Sequence, residues 1–173
     1  MQEVTSFWGM NEVQAVVFAA FLAAVIAIWA IFSQRAITSR QTTLEFIRAS
    51  EADRDNIEAR QKFNELANDP DGMGKWARDE HSQSIQAKAI RIVLNEQELV
   101  AIAIQRGILD DTTYRRFFKS GVIKTWQNAA PYVLLRRNRT GNHALYHEVE
   151  ELARWYQGAP NMPRRRFFWR KFL

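Results

Sequence analysis

The sequence contains no cysteine. Disulfides, thiolate metal sites, iron–sulfur clusters and cysteine nucleophiles are therefore excluded together. Helix breakers are scarce: there are seven glycines and four prolines, with none of either between Gly9 and Pro70. No stretch alternates apolar and polar residues with a period of two, so little or no sheet is expected. Gly-x-Ser-x-Gly does not occur, and the Gly74-Lys75 pair follows Asp69 where a phosphate loop needs its first glycine.

Charge of one sign is missing at both ends. Residues 1–12 hold Glu3 and Glu12 but no Lys or Arg, so the basic start of a secretory signal is lacking and no cleavage is expected. Arg164, Arg165, Arg166, Arg170 and Lys171 have no nearby acid, and their five charges equal the whole net charge of +5. The rest of the chain is neutral. A pI near 9.8 thus describes a tail and does not make the body a nucleic-acid binder.

What is present is, first, an apolar run over residues 13–32 in which Gln14 is the one strongly polar side chain. At 1.5 Å per residue a helix of this length spans about 30 Å, the hydrocarbon thickness of a bilayer. Arg35, Arg40 and Arg48 follow it. The positive-inside rule then sets residues 1–12 outside and the remainder in the cytoplasm. Trp8 and Trp29 lie near the two ends of the run, where indole rings favour the headgroup level.

The breaker-free stretch lets the helix continue into a juxtamembrane stalk over residues 33–67, with a restart signalled by Ser50 and Asp53. Residues 68–75, NDPDGMGK, form the clearest loop. Its Asp-x-Asp-Gly core is not a calcium loop: with Gly72 at position six, Ala67 and Arg78 would occupy the terminal ligand positions. Residues 76–157 read as a helical domain. A long helix over 76–106 carries Ile85, Ala89, Ile92, Leu99 and Ala103 on one face, extended by Ile90, Val93, Val100 and Ile104, which suits the centre of a bundle. Gly107 stops it and Asp110 with Asp111 can cap the next. Breaks are expected at Gly121, at Pro131 and in the loop RRNRTGN, before a last helix over 142–157 whose Leu145, Val149, Leu152 and Tyr156 face the core. The expected fold is all-α: one N-terminal transmembrane helix and a cytoplasmic bundle of about five helices, followed by a basic aromatic tail over 158–173.

The stretch IVLNEQELVAIAIQRGILDDTTYRRFFKSGVIKTW, residues 92–126, followed by HALYHEVEELARWY, resembles a family of small bacterial and prophage proteins. Its members have one N-terminal membrane helix and a cytoplasmic helical domain of unknown function. The resemblance covers roughly residues 10–157 and brings no accepted active site. It implies topology and a bacterial or phage setting, with membrane-level interference with phage infection as a role by analogy.

Three groups are candidate sites. His143, His147 and Glu151 would make one column on a helix, and two such histidines can hold zinc, but the column lies off the apolar face and is more simply a solvated surface. Asn95 and Glu98 interrupt an apolar helix, which predicts a buried polar network closed by Arg136, Arg137 and Arg139 or by Arg115 and Arg116. The tail residues Arg164, Arg165, Arg166, Phe167, Phe168, Trp169, Arg170 and Lys171 suit anionic lipid headgroups first, then a protein groove, then nucleic acid.

The function expected is a non-enzymatic, membrane-anchored interaction module that recruits, senses or blocks a protein partner, with no cofactor and with homo-oligomerisation favoured by tethering. The rivals are a metal-dependent or carboxylate-based effector enzyme using His143, His147, Glu98 and Glu148, and a nucleic-acid binder acting through the tail.

Overall fold

Forty-one consecutive residues without glycine or proline form α1, Glu12–Ala52. The computed structural model describes residues 12–158, and the calls that fall on 1–11 and on the tail after Gly158 lie outside the described residues. Four more helices follow: α2 Arg54–Ala67, α3 Ile85–Gln105, α4 Asp111–Thr140 and α5 His147–Tyr156, with short 3-10 turns at Gly74–Ala77 and Asp79–His81. The fold is all-α, and no strand occurs among the described residues.

The chain divides into two compact units after Thr38. In the first, every side chain from Val13 to Phe32 is exposed, and the most apolar stretch has a mean hydropathy of 2.8. Leaving a Val, Leu, Ile or Phe side chain in water forfeits about 1.5–3 kcal/mol relative to burial. A helix apolar around its whole circumference needs an apolar surrounding. By length and composition this one could cross a membrane.

The second unit is built around α3, which packs against α2, α4 and α5. Its N-terminal half joins Phe63 and Leu66 of α2, Tyr132 and Val133 of α4, and Met73 in one apolar cluster through Ile90, Val93 and Leu94. Its C-terminal half joins Tyr114 and Val122 of α4 and Leu152 and Tyr156 of α5 in a second, through Val100, Ala101 and Ile104. Trp126 packs against both. The central position expected of this helix is observed, but its buried face is rotated: Ile85 and Leu99 are 74% and 59% exposed, while Ala87, Leu94 and Ala101 are buried.

Element ends differ from the expected ones for local reasons. Residues 76–84 hold only 3-10 turns and no α-helix; α3 starts at Ile85 because the Ser84 hydroxyl accepts from the backbone N–H of Ala87 at 3.1 Å. Between α1 and α2 the cap is Asp53, whose carboxylate accepts from Asp55 and Asn56 N–H, and Ser50 is buried instead. Gly107, at φ +70, ends α3 in a Schellman arrangement: Ile108 N–H donates to Ala103 C=O and Gly107 N–H to Ile104 C=O. Asp110 then caps α4 through Thr113 N–H at 2.8 Å, as expected.

Helix α4 passes through Gly121 and Pro131 without interruption and takes in the arginines expected in a loop, ending only at Gly141. Burial of Val122, Ala129, Tyr132 and Val133 on both sides of these residues outweighs the propensity cost, about 1 kcal/mol for glycine and 3 for proline. Residues 142–146 are a turn, so α5 is shorter than the expected 142–157 helix.

Candidate functional site

α5 begins without a cap of its own. Tyr146, the residue before it, adopts a left-handed conformation at φ 56 and offers no side-chain cap. The missing acceptor comes from another helix: Glu98 on α3 accepts from Glu148 N–H at 3.4 Å and from Val149 N–H at 2.9 Å. A carboxylate there satisfies two orphan donors and complements the helix dipole. Desolvation nevertheless raises the Glu98 carboxyl above its ordinary value, outweighing the two backbone donors that pull it down.

Glu98 was singled out as a polar interruption, and it is half-buried. The partners expected for it were wrong. Of the arginines expected to close its network, Arg136 and Arg139 pair with Asp79, Arg137 pairs with Glu150 at 2.7 Å and with the Leu145 carbonyl at 2.9 Å, and Arg115 of the alternative pair Arg115 and Arg116 lies over the Trp155 and Tyr156 rings. Asn95 is exposed rather than buried, and accepts from the Tyr146 hydroxyl at 3.0 Å. Burial pushes the Tyr146 phenol up to about 12.

The histidine column does not form. His143 lies in the turn before α5, exposed, and His147 is the first residue of α5, also exposed. Glu151 meets Arg154, and Glu148 accepts from the Gln105 amide. No group of three His, Asp or Glu side chains placed to hold a metal ion occurs among the described residues. In the 68–75 loop, Lys75 reaches Asp69 at 2.7 Å and Asp71 at 3.2 Å, and this pairing holds the Asp69 carboxyl below its ordinary range.

A second polar cluster was not anticipated from the sequence. Ser50 from the end of α1 donates to Glu96 on α3, and Arg60 on α2 binds the same carboxylate through Nη2 at 2.6 Å and Nε at 3.3 Å. Three helices thus converge on one carboxylate. The cluster borders a cavity of about 200 Å³ between α1, α2, α3 and α4. Phe46, Phe63, Tyr114 and Phe118 form much of its wall, Gln97 supplies an amide, and Gly121 lies on its rim. Desolvation raises the Tyr114 hydroxyl, so it stays protonated as a donor at neutral pH.

A sequence profile for a domain of unknown function, DUF4760, matches residues 17–155. The chain belongs to the DUF4760 family. No curated protein and no solved structure matches it. The DUF4760 match begins inside the apolar run and includes Glu98 with both its N–H donors, the Ser50–Arg60–Glu96 cluster and every residue that lines the cavity.

Proposed function

We propose that this DUF4760 protein is a non-enzymatic interaction module anchored in a bacterial inner membrane, where its helical body recruits, senses or blocks a partner. The observation that carries the anchor is the complete exposure of an apolar helical segment from Val13 to Phe32, which water would not tolerate on a folded protein. The orientation follows from Arg35, Arg40 and Arg48 beyond the span and the absence of Lys or Arg before it. The body faces the cytoplasm in this reading, and the tail arginines add contact with anionic headgroups.

On α4, Phe117, Leu134 and Leu135 are 65%, 52% and 44% exposed. Phe117 stands about 26 Å along the helix from Leu134, so they give two separate apolar points at which a partner can be sought. Interference with phage infection is the role that the resemblance to prophage proteins brings to this reading.

The natural lack of cysteine makes the test direct. Ser6→Cys should react with a membrane-impermeant maleimide in intact bacteria, and Glu151→Cys only after lysis; the reverse pattern, or protein recovered in the soluble fraction, overturns the anchor. A photocrosslinker at Phe117 or Leu134 should capture a discrete protein in cells. Loss of phage interference or other phenotype only on substitution of an acidic or histidine side chain, with capture unaffected, would replace the module by an enzyme.

A further inference from the structure

The chain enters the helical body at Ser39, the first residue of the second unit, and three contacts define the end of the body at which it does so. Thr43, one turn further along α1, accepts from Asp110 N–H at 2.7 Å. Asp111, the next residue, accepts from the hydroxyl of Tyr156, the last residue of α5, at 3.1 Å. Ser50, two turns beyond Thr43, meets Glu96 well before the end of α3, so α3 runs back toward the entry point. The α3–α4 turn, the start of α4 and the end of α5 therefore gather where α1 comes in. The other end of α4, a helix of 30 residues and so about 45 Å long, holds Arg136 and Arg139 against Asp79.

The surface at the entry end combines apolar tips with cations. Ile108 in the turn and Phe117 on α4 are 53% and 65% exposed. Arg116 and Lys119 beside Phe117 are exposed as well, and neither takes part in an ion pair among the described residues. Side chains on a helix lean toward its N-terminus, so all three on α4 lean toward the entry end. The acids nearby are engaged: Asp110 caps Thr113, and Asp111 is buried against Tyr156. On residues 39–48 of α1, Arg40 and Arg48 outnumber Glu45. Cations with apolar side chains set among them suit a bilayer surface, where the charges meet anionic headgroups and the apolar tips enter the interface. Connectivity keeps such a surface close. Ser39 follows Phe32 by seven residues, so the entry end is held within about 25 Å of the end of the apolar run whichever way the body is turned.

We propose that the entry end of the folded body is a membrane-binding surface in its own right, in which Arg116 and Lys119 bind anionic phospholipid headgroups and Ile108 and Phe117 enter the interface. This rests on the anchored reading of the apolar run and adds that the body docks on the same bilayer independently of the basic tail. Phe117 is thereby assigned to lipid, which leaves Leu134, about 26 Å along the helix, for a protein partner.

The test uses the full chain in nanodiscs of phosphatidylcholine, alone or mixed equally with phosphatidylglycerol, with spin-labelled headgroups as quenchers. Because the chain has no cysteine, one fluorophore can be placed at Thr112→Cys on the entry end or at Asn138→Cys near the far end of α4, both exposed positions. The first should be quenched and the second spared, only where phosphatidylglycerol is present, and raised salt should relieve the quenching. Arg116→Gln with Lys119→Gln should lower the docked-to-undocked ratio about 25-fold, at about fivefold for each cation at an anionic surface, with the thermal melt unchanged, while Arg116→Lys should stay docked. Neutralising Arg164, Arg165, Arg166, Arg170 and Lys171 should leave the quenching at Thr112→Cys in place. Quenching that is equal at the two positions, indifferent to phosphatidylglycerol, or lost on neutralising the tail alone overturns the proposal, as does photocrosslinking of a discrete protein instead of lipid from Phe117. A chain that does not stay with the discs overturns the anchored reading and this inference with it; one that stays while Thr112→Cys is unquenched overturns this inference alone.

Discussion

The Glu98 carboxylate on α3 accepts the backbone N–H of Val149 at 2.9 Å, so the first turn of α5 is capped by a residue 51 positions earlier. Replacing it by alanine orphans the donors of Glu148 and Val149 together. Glu98→Ala should destabilise the body by about 0.5–2 kcal/mol, the usual cost of a lost N-cap, measured by urea titration of the full chain in micelles. The last helix should lose hydrogen-exchange protection first.

The same residue sets a pH signature. Its carboxyl is raised in the folded state above the ordinary value of 4.5, so the folded protein binds more proton than the unfolded chain between those two values. Its contribution is fully present below the ordinary value and is lost as pH rises through the raised one. The stability difference between wild type and Glu98→Gln should therefore fall with rising pH across that window and then level off. A difference that grows with pH would show that the backbone donors, and not desolvation, dominate.

Thr43 is fully buried, donates to the Ser39 carbonyl and accepts from Asp110 N–H, both at 2.7 Å. Thr43→Val keeps the shape but removes the acceptor at the start of α4. It should cost about 1–3 kcal/mol, the penalty of an unmade bond at a buried donor, while Thr43→Ser retains the bond and loses only the methyl packing. Equal stability of the Val and Ser variants would remove Thr43 from the account of how α1 and α4 meet.

Inside the second apolar cluster, the buried Tyr156 hydroxyl donates to Asp111 at 3.1 Å. Burial and the neighbouring carboxylate hold the phenol well above its ordinary value, in its donor form. Tyr156→Phe takes a donor from a buried acid and should destabilise by about 1.5–3 kcal/mol, the range for hydrogen bonds to charged groups. Denaturant midpoints of the two proteins, at matched slope, would measure it.

Gly121→Ala should stabilise the chain by about 0.5–1 kcal/mol, because a methyl group there meets no atom within 4 Å. A lower thermal midpoint would mean that the helix at Gly121 approaches something not apparent in its surroundings.

The all-helical class and the order of the elements were readable because they depend on patterns local to the chain. Missing breakers made α1 long, Asp110 announced a cap, and Gly107 announced an end. The polar residue Glu98 stood out against its apolar neighbours, yet its partners did not, since a backbone N–H leaves no mark on the residue that carries it. Arginines, which do leave a mark, were assigned to Glu98 in error while Asp79 and Glu150 held them. Gly121 and Pro131 looked like helix ends because their intrinsic cost is local, whereas the burial of Val122, Ala129 and Tyr132 that overrides it depends on α2, α3 and the turns between. The cavity was invisible for the same reason: its wall is assembled from four separated segments, and Ser50, Val93 and Gly121 stood out only as a cap, a core position and a break.

Asp110 is synthesised 67 residues after Thr43. At about 5–20 residues per second, the last turns of α1 are polymerised roughly 3–13 s before the backbone N–H that they are to receive exists. Ile47, buried in the finished fold, likewise awaits Tyr114 and Val122, which line the same cavity. Translation speed over the segment between them therefore determines how long a nascent chain exposes a helix end that its own later residues must cover, and slowing it should make the protein more dependent on chaperones without altering a single contact in the final structure.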